Sequence, residues 1–102
     1  MNNEAQAYLN RLISENQERK IKSTFLRKIV TNGFAVSEVN DELILTPRVR
    51  NVNAMVRIKQ TGDKWIVVEA GGAYSGFGRG KKRAYFGIYL NNWWQQAQNE
   101  NG

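Results

Sequence analysis

The sequence predicts an α+β domain in which an N-terminal helix or helix pair packs on an antiparallel meander of about five strands, with a short helix closing the chain. Two observations carry that prediction: apolar residues recur with a period near 3.6 up to Gly33, and with a period of 2 beyond it. Size is the third, because 102 residues with 41% hydrophobic and 24% charged side chains suit one self-sufficient core, so 1–102 reads as a single domain.

Ala5, Tyr8, Leu9, Leu12 and Ile13 stand at i, i+3, i+4, i+7 and i+8 and share one face of a helix, with Asn2 or Asn3 as its cap and Glu4 in its first turn. A second set, Ile21, Phe25, Leu26, Ile29 and Val30, is also helically spaced, but it points ~120° away from the first at 100° per residue. The polar run 14–20 lies between them. Residues 3–31 therefore form either two helices or one helix whose halves face different neighbours, and Asn32-Gly33 supplies a left-handed stop.

Residues 34–90 read as sheet. Phe34 and Val36, then Leu43 and Leu45, alternate with polar positions around Asn40-Asp41, which makes a hairpin; Pro47 ends its second strand or marks an edge. Val52, Ala54, Val56 and Ile58 line one face of a third strand, with Met55, Arg57 and Lys59 on the other. Thr61-Gly62-Asp63 turns the chain into the strand 65–70, whose two apolar faces predict a central position covered on both sides. A fifth strand is predicted over 83–90, where Ala84, Phe86, Ile88 and Leu90 alternate with Arg83, Tyr85, Gly87 and Tyr89. Asn91 or Asn92 then caps a short helix with Trp93, Trp94 and Ala97, and the polar tail 98–102 frays.

Composition narrows the function. The chain has no cysteine and no histidine, which removes thiolate chemistry, sulfur-bound zinc and the commonest general base, so no enzyme, cofactor or metal site is expected. A minimal metal-independent nuclease using Lys, Arg and Tyr is the remaining catalytic option. No apolar run approaches the ~20 residues of a membrane span, and the first residues lack the pattern of a secretory signal, so a cytoplasmic protein without membrane contact is expected. The net charge is +6: residues 1–33 hold six cations against three acids, 34–72 are balanced, and 73–102 hold four cations against one acid. Such basic ends favour an anionic partner.

The richest segment is 71–86, with five glycines, four aromatics, four cations and no acid. It is not a nucleotide loop: Gly76 precedes Gly80-Lys81 by three intervening residues instead of four, Lys82 stands where a hydroxyl is needed, and Gly76, Gly78 and Gly80 are evenly spaced by two. Arg83-Ala84-Tyr85-Phe86-Gly87-Ile88-Tyr89 holds the ingredients of the aromatic strand of RNA-recognition motifs in another order and without the split βαβ arrangement, so it implies no family. The expected contact surface comprises Tyr74, Phe77, Arg79, Lys81, Lys82 and Arg83 of the loop with Tyr85, Arg57 and Lys59 of adjoining strands. Cations would track phosphates while Tyr74 and Phe77, on a glycine-rich loop, stay exposed to stack on bases. Single-stranded nucleic acid is the expected partner of a small accessory or regulatory protein. The alternative is an inhibitor or adapter, of phage or mobile-element type, docking on an acidic or nucleic-acid-binding surface of a larger protein. Arg19, Lys20, Lys22, Arg27 and Lys28 would add phosphate contacts or simply face solvent. Adjacent Trp93 and Trp94 point ~100° apart, so one closes the core and the other is available for self-association.

Overall fold

The computed structural model of the chain describes residues 3–101 and is an α+β fold of helix, four-stranded antiparallel meander and helix. The helix α1 (Asn3–Thr31) is unbroken through the polar run 14–20. It stops where Asn32 and Gly33 bond back to Lys28, Ile29 and Val30, with Gly33 at φ 102°. Strands β1 (Phe34–Val39), β2 (Glu42–Pro47), β3 (Ala54–Thr61) and β4 (Lys64–Gly72) pair in chain order. Asn40 and Asp41 both take positive φ, at 52° and 65°, as a two-residue hairpin of the twist-matching kind requires. A short 3-10 helix (Ser75–Gly78) leads into α2 (Gly80–Asn101). Asn2, offered above as a cap, and Gly102 of the tail lie outside the described residues.

The helices cover one face of the sheet. Phe25 and Ile29 of α1, Leu43 and Leu45 of β2, Val56 and Ile58 of β3, Trp65 and Val67 of β4, and Phe86, Leu90, Trp94 and Ala97 of α2 form a single buried cluster. Its centre is aromatic: the ring centroids of Phe25 lie 4.9 Å from Trp65 and 5.2 Å from Trp94, and those two indoles lie 5.6 Å apart. Tilted and edge-on packing at this spacing adds about 0.5–1.5 kcal/mol per pair beyond area burial.

Two sequence expectations are corrected. Residues 83–90 are the first half of α2 and no fifth strand exists among the described residues. The buried positions Phe86, Leu90, Trp94 and Ala97 follow helical spacing, which outweighs the period-2 reading of Ala84, Phe86, Ile88 and Leu90 once α2 runs on to Asn101. Asn91 caps nothing; it sits mid-helix and turns toward β4. The tail 98–101 is helical too, held by Asn101 Nδ2 donating to Thr24 Oγ1 at 2.9 Å.

The strand 65–70 is not central. It lies in β4, at the edge of the sheet, and its outward residues Ile66 and Val68 are each 38% exposed on the uncovered sheet face. The edge is closed by side chains of α2 instead of by another strand. Trp65 N–H donates to Asn91 Oδ1 at 2.8 Å, Asn91 Nδ2 donates to Trp65 O at 2.9 Å and to Gly87 O at 2.8 Å, and Arg83 donates to Val67 O at 3.0 Å. An unpaired edge invites another chain, and these bonds occupy it. Asn91→Ala is expected to lower unfolding free energy by about 2 kcal/mol, since it strips the partners from a buried tryptophan's main chain. Urea denaturation followed by tryptophan fluorescence measures it, and a loss within experimental error would show the edge to be satisfied otherwise.

Candidate nucleic-acid interface

A meander of four hairpin-linked strands sends its connections alternately to opposite ends of the sheet. The β1–β2 and β3–β4 turns share one end, with Asp41 and Asp63. The start of β1, the β2–β3 connection 48–53 and the passage from β4 into α2 share the other. Here Ala73 N–H donates to Asn53 O at 2.9 Å, and Arg48 Nε donates to Phe34 O at 3.4 Å. Arg48, Arg50, Arg79, Lys81 and Lys82 are thereby gathered at one end, all exposed and none in an ion pair among the described residues. No acid occurs in 43–62 or 70–99, so none dilutes this charge locally. The cationic end was only half foreseen: Arg48 and Arg50 lie some thirty residues before Lys81, and strand parity alone was the available signal.

The glycine-rich segment places its rings inward, against the expectation of exposed stacking platforms. Tyr74 and Phe77 are half-buried, and the 3-10 turn lays them on the core: ring centroids are 5.7 Å for Phe34–Tyr74, 5.4 Å for Tyr74–Phe77 and 4.8 Å for Phe77–Phe86. The glycines serve close packing here. A Cβ on Gly78 would meet the Ala70 methyl at 3.2 Å, and one on Gly72, at φ 60°, would sit 1.9 Å from Asn53 O. Turning the rings in turns the cations out. Arg79 is extended and accepts a bond from the Arg83 amide at 3.2 Å, Gly80 takes φ 56°, and the helix starts with Lys81 and Lys82 in a first turn that holds no acid. Free amides and the positive end of the dipole favour an anion there.

Beside this segment, Tyr85 and Tyr89 of α2 keep their rings outside, each 59% exposed. With Lys81 and Lys82 they occupy one stripe of α2, at i, i+1, i+4 and i+8. Arg83 is drawn away toward Val67 O and has a structural task. Arg57 and Lys59 are not brought to this site. Both lie on the uncovered sheet face, where Arg57 contacts Glu42 at 3.3 Å and Glu69 at 3.0 Å. Arg57 Nε and Glu42 Oε2 are buried and misaligned for a hydrogen bond, so their contact is ionic. Lys59 stands opposite Glu42, toward the acidic end. Of the helical cations, Lys22 pairs with Glu38 and Lys28 with Glu100, while Arg19, Lys20 and Arg27 make no ion pair among the described residues.

The two adjacent tryptophans are placed differently. Trp94 is buried against Phe25 and Trp65 and donates to Asp63 at 3.4 Å, while Trp93 is half-buried on the core beside Lys28 and Glu100. Among the described residues no helix is long and apolar enough to cross a membrane. Compared with protein-family models, with curated proteins and with solved structures, the chain matches none.

Proposed function

We propose that the chain is a small nucleic-acid-binding accessory or regulatory protein that grips the phosphate backbone of a duplex with its basic end. The observation that carries this reading is that Arg48, Arg50, Arg79, Lys81 and Lys82, from two connections far apart in sequence, lie exposed at the same end of the sheet, the end at which α2 starts. The backbone carrying these cations is anchored, by the Ala73–Asn53 bond and by the start of α2, and an array borne on an anchored backbone suits the regular phosphates of a duplex better than a flexible single strand. Tyr85 and Tyr89 extend the surface along α2, where phenol hydroxyls also reach phosphate oxygens. Contacts of this kind position a protein without reading sequence, so weak sequence preference and steep salt dependence are expected.

Titration of labelled duplex and single-stranded oligonucleotides at two salt concentrations is the test. About five phosphate contacts weaken binding roughly five-hundredfold between about 50 and 200 mM salt, with a log–log slope near −4.5. A single strand bound more tightly than the duplex would move the weight to stacking on Tyr85 and Tyr89. No binding at the lower salt would overturn the reading and transfer the basic end to an acidic protein surface, as an inhibitor or adapter.

A further inference from the structure

All of residues 3–20 in α1 are exposed, although Tyr8, Leu9, Leu12 and Ile13 form an apolar stripe that is 37–64% accessible. The rest of the fold begins beside Gln17, whose Nε2 donates to Asn101 O at 3.1 Å, so residues 3–16 are an arm reaching past the acidic end of the sheet. The long axis of the molecule, 59 Å against 27 and 24 Å, reflects that projection. A helix of this length is marginal in water without a packed face.

We propose that the arm pairs antiparallel with the same arm of a second copy about a two-fold axis, making the protein a dimer. The spacing is self-complementary. An axis between Asn10 and Arg11 sets Tyr8 opposite Ile13 of the partner subunit and Leu9 opposite Leu12 of the partner subunit, so that each of these four large apolar residues meets a counterpart. The length fits as well, because this register sets Glu4 opposite Gln17 of the partner subunit, where the other body starts. The interface goes beyond the proposed nucleic-acid contact, which occupies the opposite end of each body. One consequence rests on that reading: two basic ends pointing apart would bind a long duplex with avidity.

Sedimentation equilibrium of the full chain at micromolar concentration, without nucleic acid, tests the dimer. A species of twice the 11.7 kDa chain is expected. Leu9→Glu with Leu12→Glu should weaken association by about a hundredfold or more, while the near-ultraviolet dichroism of the buried tryptophans is unchanged. Register is read by mixing Leu9→Cys and Leu12→Cys chains, in a protein otherwise free of cysteine, and oxidising: the mixed disulfide should exceed either self-linked product. A monomer at these concentrations overturns the proposal. So does a dimer that survives the paired glutamates yet dissociates on Ile66→Glu, which would place the contact on the uncovered sheet face, or a predominance of 9–9 and 12–12 products. Lys81→Ala with Lys82→Ala should leave the mass unchanged, which separates failure of the dimer from failure of nucleic-acid binding.

Discussion

Gly72→Ala should lower unfolding free energy by about 3 kcal/mol or more, a fall of roughly 15 °C in Tm for a domain of this size. Three costs combine. At φ 60° a non-glycine residue loses about 1 kcal/mol for conformation alone. The new methyl would stand 1.9 Å from the oxygen and 2.6 Å from the carbon of the Asn53 carbonyl, main-chain atoms that cannot step aside as a side chain would. Relief therefore means parting β4 from the start of β3 and losing the Ala73–Asn53 bond, about 1 kcal/mol more. Gly62 isolates the first cost from the others, since it has φ 63° and open space around it. Gly62→Ala is expected to cost about 1 kcal/mol. Thermal denaturation of both variants decides the matter, and equal losses would refute the close approach. The functional corollary is that Gly72→Ala loosens Arg48 and Arg50 from Lys81 and Lys82, because the Ala73–Asn53 bond and the adjoining Ala54–Gly72 pairing both tie their two loops.

The sequence is most legible where local chemistry alone sets the backbone. Asn32-Gly33, Asn40-Asp41 and Gly62-Asp63 each require positive φ and each turns the chain where their residue types say it must. It misleads where a tertiary partner decides. Alternation of Phe86 and Leu90 with their neighbours fits a strand until Trp94 and Ala97 extend the same face by helical steps, and Asn91 resembles a cap because its bonds to Trp65 lie twenty-six residues away. Two apolar faces on 65–70 are read as double coverage, yet one face is open and the edge is sealed by Asn91 and Arg83, an arrangement no local pattern announces. At the site, charge is legible and orientation is not. Glycine spacing around Tyr74 and Phe77 fits an exposed loop as well as a tight turn, and the choice falls to Phe34 and Phe86, which offer the rings an apolar seat.

Replacing Arg48, Arg50, Lys81 and Lys82 together with alanine should cut duplex affinity by about three orders of magnitude at low salt and flatten the log–log salt slope from about −4.5 to about −1. The four side chains are exposed and free of ion pairs among the described residues, and the bond from Arg48 Nε to Phe34 O is long at 3.4 Å and open to water, so thermal stability should stay within about 1 kcal/mol of the parent. Two comparisons sharpen the outcome. Lys59→Ala removes an exposed cation from the sheet face opposite the helices, and it should leave the slope unchanged if contact is confined to the basic end. Arg83→Ala should do the reverse of the four-fold variant: stability falls, because Val67 O loses its partner on the edge of β4, while the slope moves little. A salt slope that survives the four-fold replacement would place the phosphates elsewhere, with Arg19, Lys20 and Arg27 of α1, which make no ion pair among the described residues, as the next cluster to replace. The slope, more than the affinity, is the deciding quantity, because it counts the cations that displace ions from phosphate and ignores whatever else the surface touches.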